Sequence, residues 1–479
     1  MSYSALIPLL PLVIIAGTAL AATLAITLHR NHRLTAALTI GGLTLALLSL
    51  RAVADFLPQH VTTLLILDRY AFFYLGLIFA AALFTALFAY GYLEKNDAAP
   101  EEFYLLLLLA VTGAAVLVAS SHFASLILGL ETLSVSLYGL IAYPAYRERC
   151  IEASLKYLIL AALSSAFLLF GMALLYAEFG TMEFGGLAVL MASRGTTVLL
   201  LAGTALIITG LGFKLALVPF HMWSPDVYEG APAPVAAFIA TVSKGAVFAL
   251  LLRYFNNVPL PAEGILFMIF SSIAVASMFV GNLLALGQRN VKRLLAYSSI
   301  AHLGYLLVAF LASNDVRVTA VTFYLTAYFV TILGAFGIVT VLSTAAGDAD
   351  SIDHYRALAW RRPWLAGVFT AMLFSLAGIP LTAGFLGKFY VLASGIYSYL
   401  WWLVAILVIN SAIGLFYYLR LIIVMFAPPG SAEEAEEQPL PEISPTGHAM
   451  LAFLTFLLVW LGLFPTGLIE LILSLAIHQ

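Results

Sequence analysis

Apolar runs of about twenty residues, broken by short stretches of proline, glycine and charged residues, recur from one end of the chain to the other. A helix needs about 20 apolar residues to cross a ~30 Å hydrocarbon core, whereas a transmembrane strand alternates in polarity over roughly ten. The runs therefore predict helices. Hydropathy and punctuation place fourteen spans near 5–28, 34–54, 70–92, 103–120, 123–143, 152–177, 197–222, 233–254, 263–285, 293–312, 317–343, 364–397, 400–426 and 447–474. The fold class that follows is all-α, a polytopic membrane protein of about 14 transmembrane helices. Ala19-Leu20-Ala21 looks like a signal-peptidase site, but the first run lacks a basic start and is too long, so it reads as the first transmembrane helix.

Composition narrows this further. The 479 residues are 63% hydrophobic and 9% charged, against about a quarter charged in soluble chains, and the spans leave no room for a sizeable soluble domain. A single cysteine, Cys150, excludes disulfides, Cys-ligated iron–sulfur clusters and Cys-based zinc sites within the chain. No dinucleotide fingerprint or Walker motif is present. Nothing in the sequence calls for a metal, a bound nucleotide or nucleic acid; the partner implied so far is the lipid bilayer.

The basic residues set the orientation. Loops after odd-numbered spans carry Arg30, Arg33, Lys95, Arg147, Arg149, Arg289, Lys292, Arg293, Arg356, Arg361, Arg362 and Arg420; the opposite face carries Arg51, Arg69, Arg194, Arg253 and Arg317. This bias predicts cytoplasmic loops after odd spans and both termini on the outer side. The acidic, proline-rich stretch from Pro428 to Pro445, with Glu433, Glu434, Glu436, Glu437 and Glu442, then reads as a solvated cytoplasmic linker or, alternatively, a docking segment.

Four basic residues fall inside spans: Lys156, Lys214, Lys244 and Lys388. Glu131, about nine residues into the fifth span, is the one acid lying deep in a span. Lys156 is a turn or two from Arg149 and could snorkel to the interface. Lys214 and Lys244 are too central for that. A structural ion-pair reading needs matched acids, and a single glutamate cannot neutralise these amines. The excess favours amines that spend part of their time neutral, because burial disfavours the charged form, and such a lysine can take up and release protons. His302, in the tenth span, reads either as a hydrogen-bonded core residue or as a relay; His221 and Asp226 read as shaping a loop.

Two of the lysines neighbour helix breakers. Lys214 precedes Pro219, and Lys388 follows Gly378-Ile379-Pro380-Leu381-Thr382-Ala383-Gly384. Span 364–397 would extend ~50 Å as a straight helix, well beyond the ~30 Å core, so an interruption is expected there. Interrupted helices with a charge at the break are a transporter device. Laying spans four to eight against nine to thirteen puts a proline-broken, lysine-bearing helix fourth in each unit, and Glu131 and His302 in the second. Five spans per unit imply inverted topology. The expected organisation is an N-terminal three-helix segment (1–100), a first five-helix repeat (101–257), a second, inverted repeat (258–427), and the acidic loop with a last helix (428–479).

These residues carry a resemblance. Phe213-Lys214-Leu215-Ala216-Leu217-Val218-Pro219-Phe220-His221-Met222-Trp223-Ser224-Pro225-Asp226-Val227-Tyr228-Glu229-Gly230-Ala231-Pro232, on to Ser243-Lys244, resembles the antiporter-like subunits of respiratory complex I. So do the run from Asn290 to Tyr305 and that from Gly378 to Phe389. Within this family the chain is most similar to the N-type subunit of NADH-quinone oxidoreductase, on the wording from Val227 to Pro232 and on Lys388, where the M-type subunit has a glutamate. The resemblance implies a proton path through Glu131, Lys214, Lys244, His302 and Lys388, with Lys156 at the cytoplasmic uptake side. It also implies M-type and K-type neighbours, and NADH, FMN, iron–sulfur clusters and quinone held by partner subunits, with no cofactor in this chain. The same superfamily includes subunits of multi-subunit cation/proton antiporters and ion-pumping hydrogenases, which stay open as alternatives. A bacterial plasma membrane is the expected location.

Overall fold

The computed structural model describes residues 7–95, 99–143, 147–194, 197–256, 264–429 and 441–475. The spans form α1 (Leu10–Leu28), α2 (His32–Val53), α3 (Arg69–Leu93), α4 (Glu101–Ala119), α5 (Phe123–Ile141) and α6 (Glu148–Phe179). The seventh is split into α7a (Val198–Lys214) and α7b (Trp223–Gly230). There follow α8 (Ala233–Phe255), α9 (Ile265–Leu286), α10 (Val291–Phe310) and α11 (Asn314–Leu342). The twelfth is split into α12a (Pro363–Ala377) and α12b (Ala383–Tyr397), and α13 (Trp401–Phe426) and α14 (Pro445–Leu463) complete the set. Of the acidic stretch from Pro428 to Pro445, residues 430–440 lie outside the described residues.

Side-chain caps fix several starts: Asn31, Asp68, Thr197, Asn290, Thr382 and Ser444 each accept a hydrogen bond from a backbone N–H of the first turn. The last predicted span ends early, because Pro465 has no N–H to continue it, and a short helix, Thr466–Leu473, follows. Among the elements outside the predicted spans are short turns of helix at Ile352–Tyr355 and Leu358–Arg361 and two more. One is a helix at Phe184–Arg194; the other is a two-residue antiparallel ladder pairing Gln59 with Leu67 and His60 with Ile66.

Three helices are almost wholly enclosed. The apolar windows of α8 and α11 are 100% buried and that of α10 is 94%, against 28% for α1 and 22% for α14. Close packing around this centre depends on small residues. A Cβ on Gly113 of α4 would lie 2.7 Å from the carbonyl oxygen of Gly129 of α5, and one on Gly281 of α9 would lie 2.6 Å from the backbone nitrogen of Ala301 of α10. Without an apolar driving force in lipid, such backbone approach is a main source of helix association.

Three basic residues read above as loop markers are buried: Arg253 is 0% exposed, Lys292 2% and Arg317 4%. Arg253 makes a bidentate pair with Asp68, its Nη1 and Nη2 donating at 2.9 and 2.8 Å, and its guanidinium lies 4.8 Å from the Tyr70 ring centroid. This pair clamps the end of α8 to the start of α3, so a charge placed by sequence in a loop is a fastening in the interior.

Candidate functional site

The two interrupted helices present their lysines in related ways. Lys214 is the last residue of α7a, and Lys388 donates to the Ala377 carbonyl at the end of α12a (2.9 Å). Lys388 Nζ thus lies at the C-terminal, negative end of a half-helix, where freed carbonyls favour a cation, and Lys214 belongs to the last turn of one. The backbone turns away from α7a through Ala216 at φ 56°, and Trp223 Nε1 donates to the Phe213 carbonyl (2.8 Å), one of those the break releases. His221, 7% exposed, lies in this break. At the second break Gly378 adopts φ 85°, and a Cβ there would meet Lys388 Cδ at 2.8 Å. Gly384 donates to Ser375 Oγ (3.0 Å). Glycine is required at 378 both for its backbone angle and for the room it leaves the lysine.

Lys244 follows a π-helical turn, Ile239–Ser243, a local widening common at functional positions. Its Nζ donates to Ser299 Oγ at 2.8 Å. Lys214 Nζ donates to Ser134 Oγ at 2.7 Å, and Lys388 Nζ to Ser411 Oγ at 2.9 Å. The three lysines are 4%, 1% and 7% exposed in chain order. None makes an ion pair among the described residues.

Glu131 is half-buried and accepts from Ser165 Oγ at 2.5 Å. It sits one turn along α5 from Ser134, so carboxylate and Lys214 are held through separate serines rather than in direct contact. His302 is bonded on both ring nitrogens: Nδ1 to Tyr324 Oη at 2.7 Å and Nε2 to Tyr418 Oη at 3.2 Å. Tyr418 in turn bonds Ser298, the neighbour of the serine that receives Lys244. On the other side, the Tyr305 ring faces His302 at 5.4 Å and carries Lys388 at 5.3 Å. Tyr305 Oη accepts from Asn282, which also bonds Asn410 and Tyr417. Hydroxyls and the imidazole therefore line the region between Lys244 and Lys388, hydrogen-bonded from Ser298 through Tyr418 to His302.

Lys156 stands apart from this axis. Its side chain is 45% exposed and bonds Glu152 (2.8 Å) and Asp226 (2.9 Å). Asp226 and Glu229 also receive Arg293 Nη1, at 2.7 and 2.8 Å, around an open cavity of about 270 Å³. Asp226 thus does more than shape a loop: it joins α7b to α6 and α10. Nearby, Lys292 pairs with Asp348 at 2.6 Å and donates to the Ala231 carbonyl at 2.9 Å. Among the described residues no cluster of His, Cys, Asp and Glu could hold a metal ion.

A helical membrane protein with two interrupted helices, each ending on a buried amine, has the build of an antiporter-like ion-translocating subunit. The chain belongs to the NADH:quinone oxidoreductase/Mrp antiporter transmembrane family, whose profile matches residues 120–414, and within it to the N-type subunits of complex I. It is 49% identical over 479 residues to NADH-quinone oxidoreductase subunit N of Ectopseudomonas mendocina, covering 98% of this chain and 97% of that one. Identity to NADH-quinone oxidoreductase subunit N of Nitrosospira multiformis is 53%, over 97% and 95% of the two chains. Among solved structures, a chain of respiratory complex I from Thermus thermophilus matches with TM-score 0.83 at 33% identity, over 96% of this chain and 98% of that one. A chain of the Mrp complex from Dietzia sp. shares the fold alone, with TM-score 0.84 at 21% identity over 99% and 97%.

Proposed function

We infer that the chain is a proton-translocating membrane-arm subunit of an NADH-quinone oxidoreductase, chemically inert by itself and driven by electron transfer from NADH to quinone elsewhere in the complex. FMN and iron–sulfur clusters then belong to partner subunits, and the chain sits between M-type and K-type neighbours in a bacterial plasma membrane with its termini on the outer side. The observation that carries this reading is the set of three buried amines without ion-pair partners among the described residues, two at helix breaks, with hydroxyls and a histidine lining the region between Lys244 and Lys388. Relatives called subunit N, matched over nearly the whole chain, favour complex I over a free-standing antiporter.

In this reading protons gather at the cytoplasmic cluster around Lys156, Lys214 takes one up under the influence of Glu131, and water carries it to Lys244. Ser299, Ser298, Tyr418 and His302 lead it on to Lys388, from which it leaves toward the outside. A unit charge at ~7 Å in an effective dielectric near 20 is worth about 2.4 kcal/mol, so a change in how Glu131 is held or charged is enough to switch a lysine between accepting and donating. The units 101–257 and 258–427 are proposed as inverted repeats, supported by the matching close approaches of α4 to α5 and α9 to α10.

The test is made in the intact complex. Lys214→Ala is expected to lower proton translocation per NADH oxidised while the assembled complex retains flavin and iron–sulfur clusters; undiminished translocation contradicts the relay. Purification with nickel, or cofactor-free cation/proton exchange by the native assembly, contradicts the assignment to complex I.

A further inference from the structure

Each amine of the axis lies over the face of a tyrosine: Lys214 Nζ is 5.8 Å from the Tyr157 ring centroid, Lys244 Nζ 5.1 Å from that of Tyr228, and Lys388 Nζ 5.3 Å from that of Tyr305. Each also donates to one serine hydroxyl. Three lysines on different helices therefore share one environment, a hydroxyl acceptor and an aromatic face, with no carboxylate among the described residues in ion-pair contact.

This environment is not a relic of internal duplication. Lys214 and Lys388 both lie on the interrupted fourth helix of the two proposed five-helix units, Lys214 just before its break and Lys388 just after. Yet the ring and serine around Lys214 come from the third and second helices of its unit (α6 and α5), whereas those around Lys388 come from the second and fifth of its own (α10 and α13). The same cage assembled from unmatched positions points to a demand made by the amine.

We propose that Tyr157, Tyr228 and Tyr305 are positioning residues of the relay, their ring faces supplying the attraction that lets each lysine hold a proton in the absence of an ion-paired carboxylate. This rests on the relay reading above. An aromatic face carries a fixed negative potential without net charge and has no basic site to compete for the proton. At an effective dielectric near 20, a carboxylate ~4 Å from an ammonium attracts it about twice as strongly as a desolvated ring face does. A permanent carboxylate partner would hold the proton; a ring stabilises it enough to bind and weakly enough to release. The serine accepts from the amine when it is protonated and, by rotating its hydroxyl, can donate to the amine when it is neutral.

Lys244 is the cleanest place to test this. Lys214 has Glu131 as a charged neighbour beside the Tyr157 ring, and Lys388 has His302 beside the Tyr305 ring, whereas Lys244 lies against Tyr228, with Tyr328 next to that tyrosine. Assembled complex is reconstituted into vesicles, and protons moved per NADH oxidised are followed against pH. Tyr228→Phe keeps the ring and is expected to leave the profile in place. Tyr228→Leu removes it, weakening the protonated form, and its alkaline limb is expected to move down by about one pH unit. Phenylalanines carrying one to three ring fluorines at 228 keep the size while draining the face of electron density. They are expected to move the limb progressively, and they serve if the leucine variant fails to assemble. An unmoved profile across the fluorinated series overturns the proposal, as does an equal shift for Phe and Leu, which would assign the effect to the hydroxyl. Lys244→Ala is the control: if it lowers translocation while the fluorinated series is flat, the ring role fails and the relay survives; if it pumps like the parent, both fail.

Discussion

The buried axis and the charge cluster around Asp226 use the same side chains to opposite ends. In the cluster each of Lys156, Arg293 and Lys292 meets carboxylates at 2.6–2.9 Å. On the axis Lys214, Lys244 and Lys388 meet a serine hydroxyl and a tyrosine ring. Asp68–Arg253 shows that the fold can bury a full ion pair when it uses one as a fastening, since both side chains are 0% exposed. That no described carboxylate pairs with the axial amines is therefore a property of those sites and not of burial as such. A paired cation is fixed in charge; an amine among hydroxyls and rings can change it.

The comparison can be broken at several points. Asp68→Ala leaves Arg253 charged in the interior, and removing one partner of a buried pair costs about 3–5 kcal/mol; the amount of assembled complex recovered on native gels is expected to fall sharply. Tyr418→Phe removes the hydroxyl that joins Ser298 to His302. Assembly should persist while translocation slows by roughly a hundredfold, the lower end of what one positioned proton-transfer group contributes; vesicle acidification at constant NADH oxidation checks this. The smallest effect belongs to the cluster. A double-mutant cycle between Lys156 and Asp226, read by thermal unfolding of the complex, is expected to give a coupling of about 1 kcal/mol or less, since both side chains are partly solvated. A coupling as large as that of a buried pair would erase the distinction between the two regions.

Much of this was legible because the bilayer imposes simple rules. Span positions followed from apolar run length, and the interruption of the twelfth from a length no single crossing could use. Lys214, Lys244 and Lys388 stood out because a charge amid apolar residues has few ordinary explanations. The partners of these lysines did not, since serine and tyrosine are common in membrane helices and nothing local distinguishes Ser299 or Tyr228 from their neighbours. Arg253 was hidden for a different reason: it lies at the end of a span, where an arginine ordinarily marks topology, and its partner Asp68 is 185 positions away. Asp226 similarly reads as a loop residue until α6 and α10 bring Lys156 and Arg293 to it. The π-helical turn before Lys244 leaves no compositional trace, because Ile239–Ser243 is acceptable in an ordinary helix.

In the proposed relay, an amine able to gain and lose charge lies in the path of the protons. Lys244→Met keeps an unbranched side chain of similar length in the enclosed centre while removing the proton site. Protons translocated per NADH oxidised, measured in vesicles holding equal amounts of assembled complex, should fall relative to the parent while uncoupled NADH oxidation continues. An unchanged ratio would contradict the account.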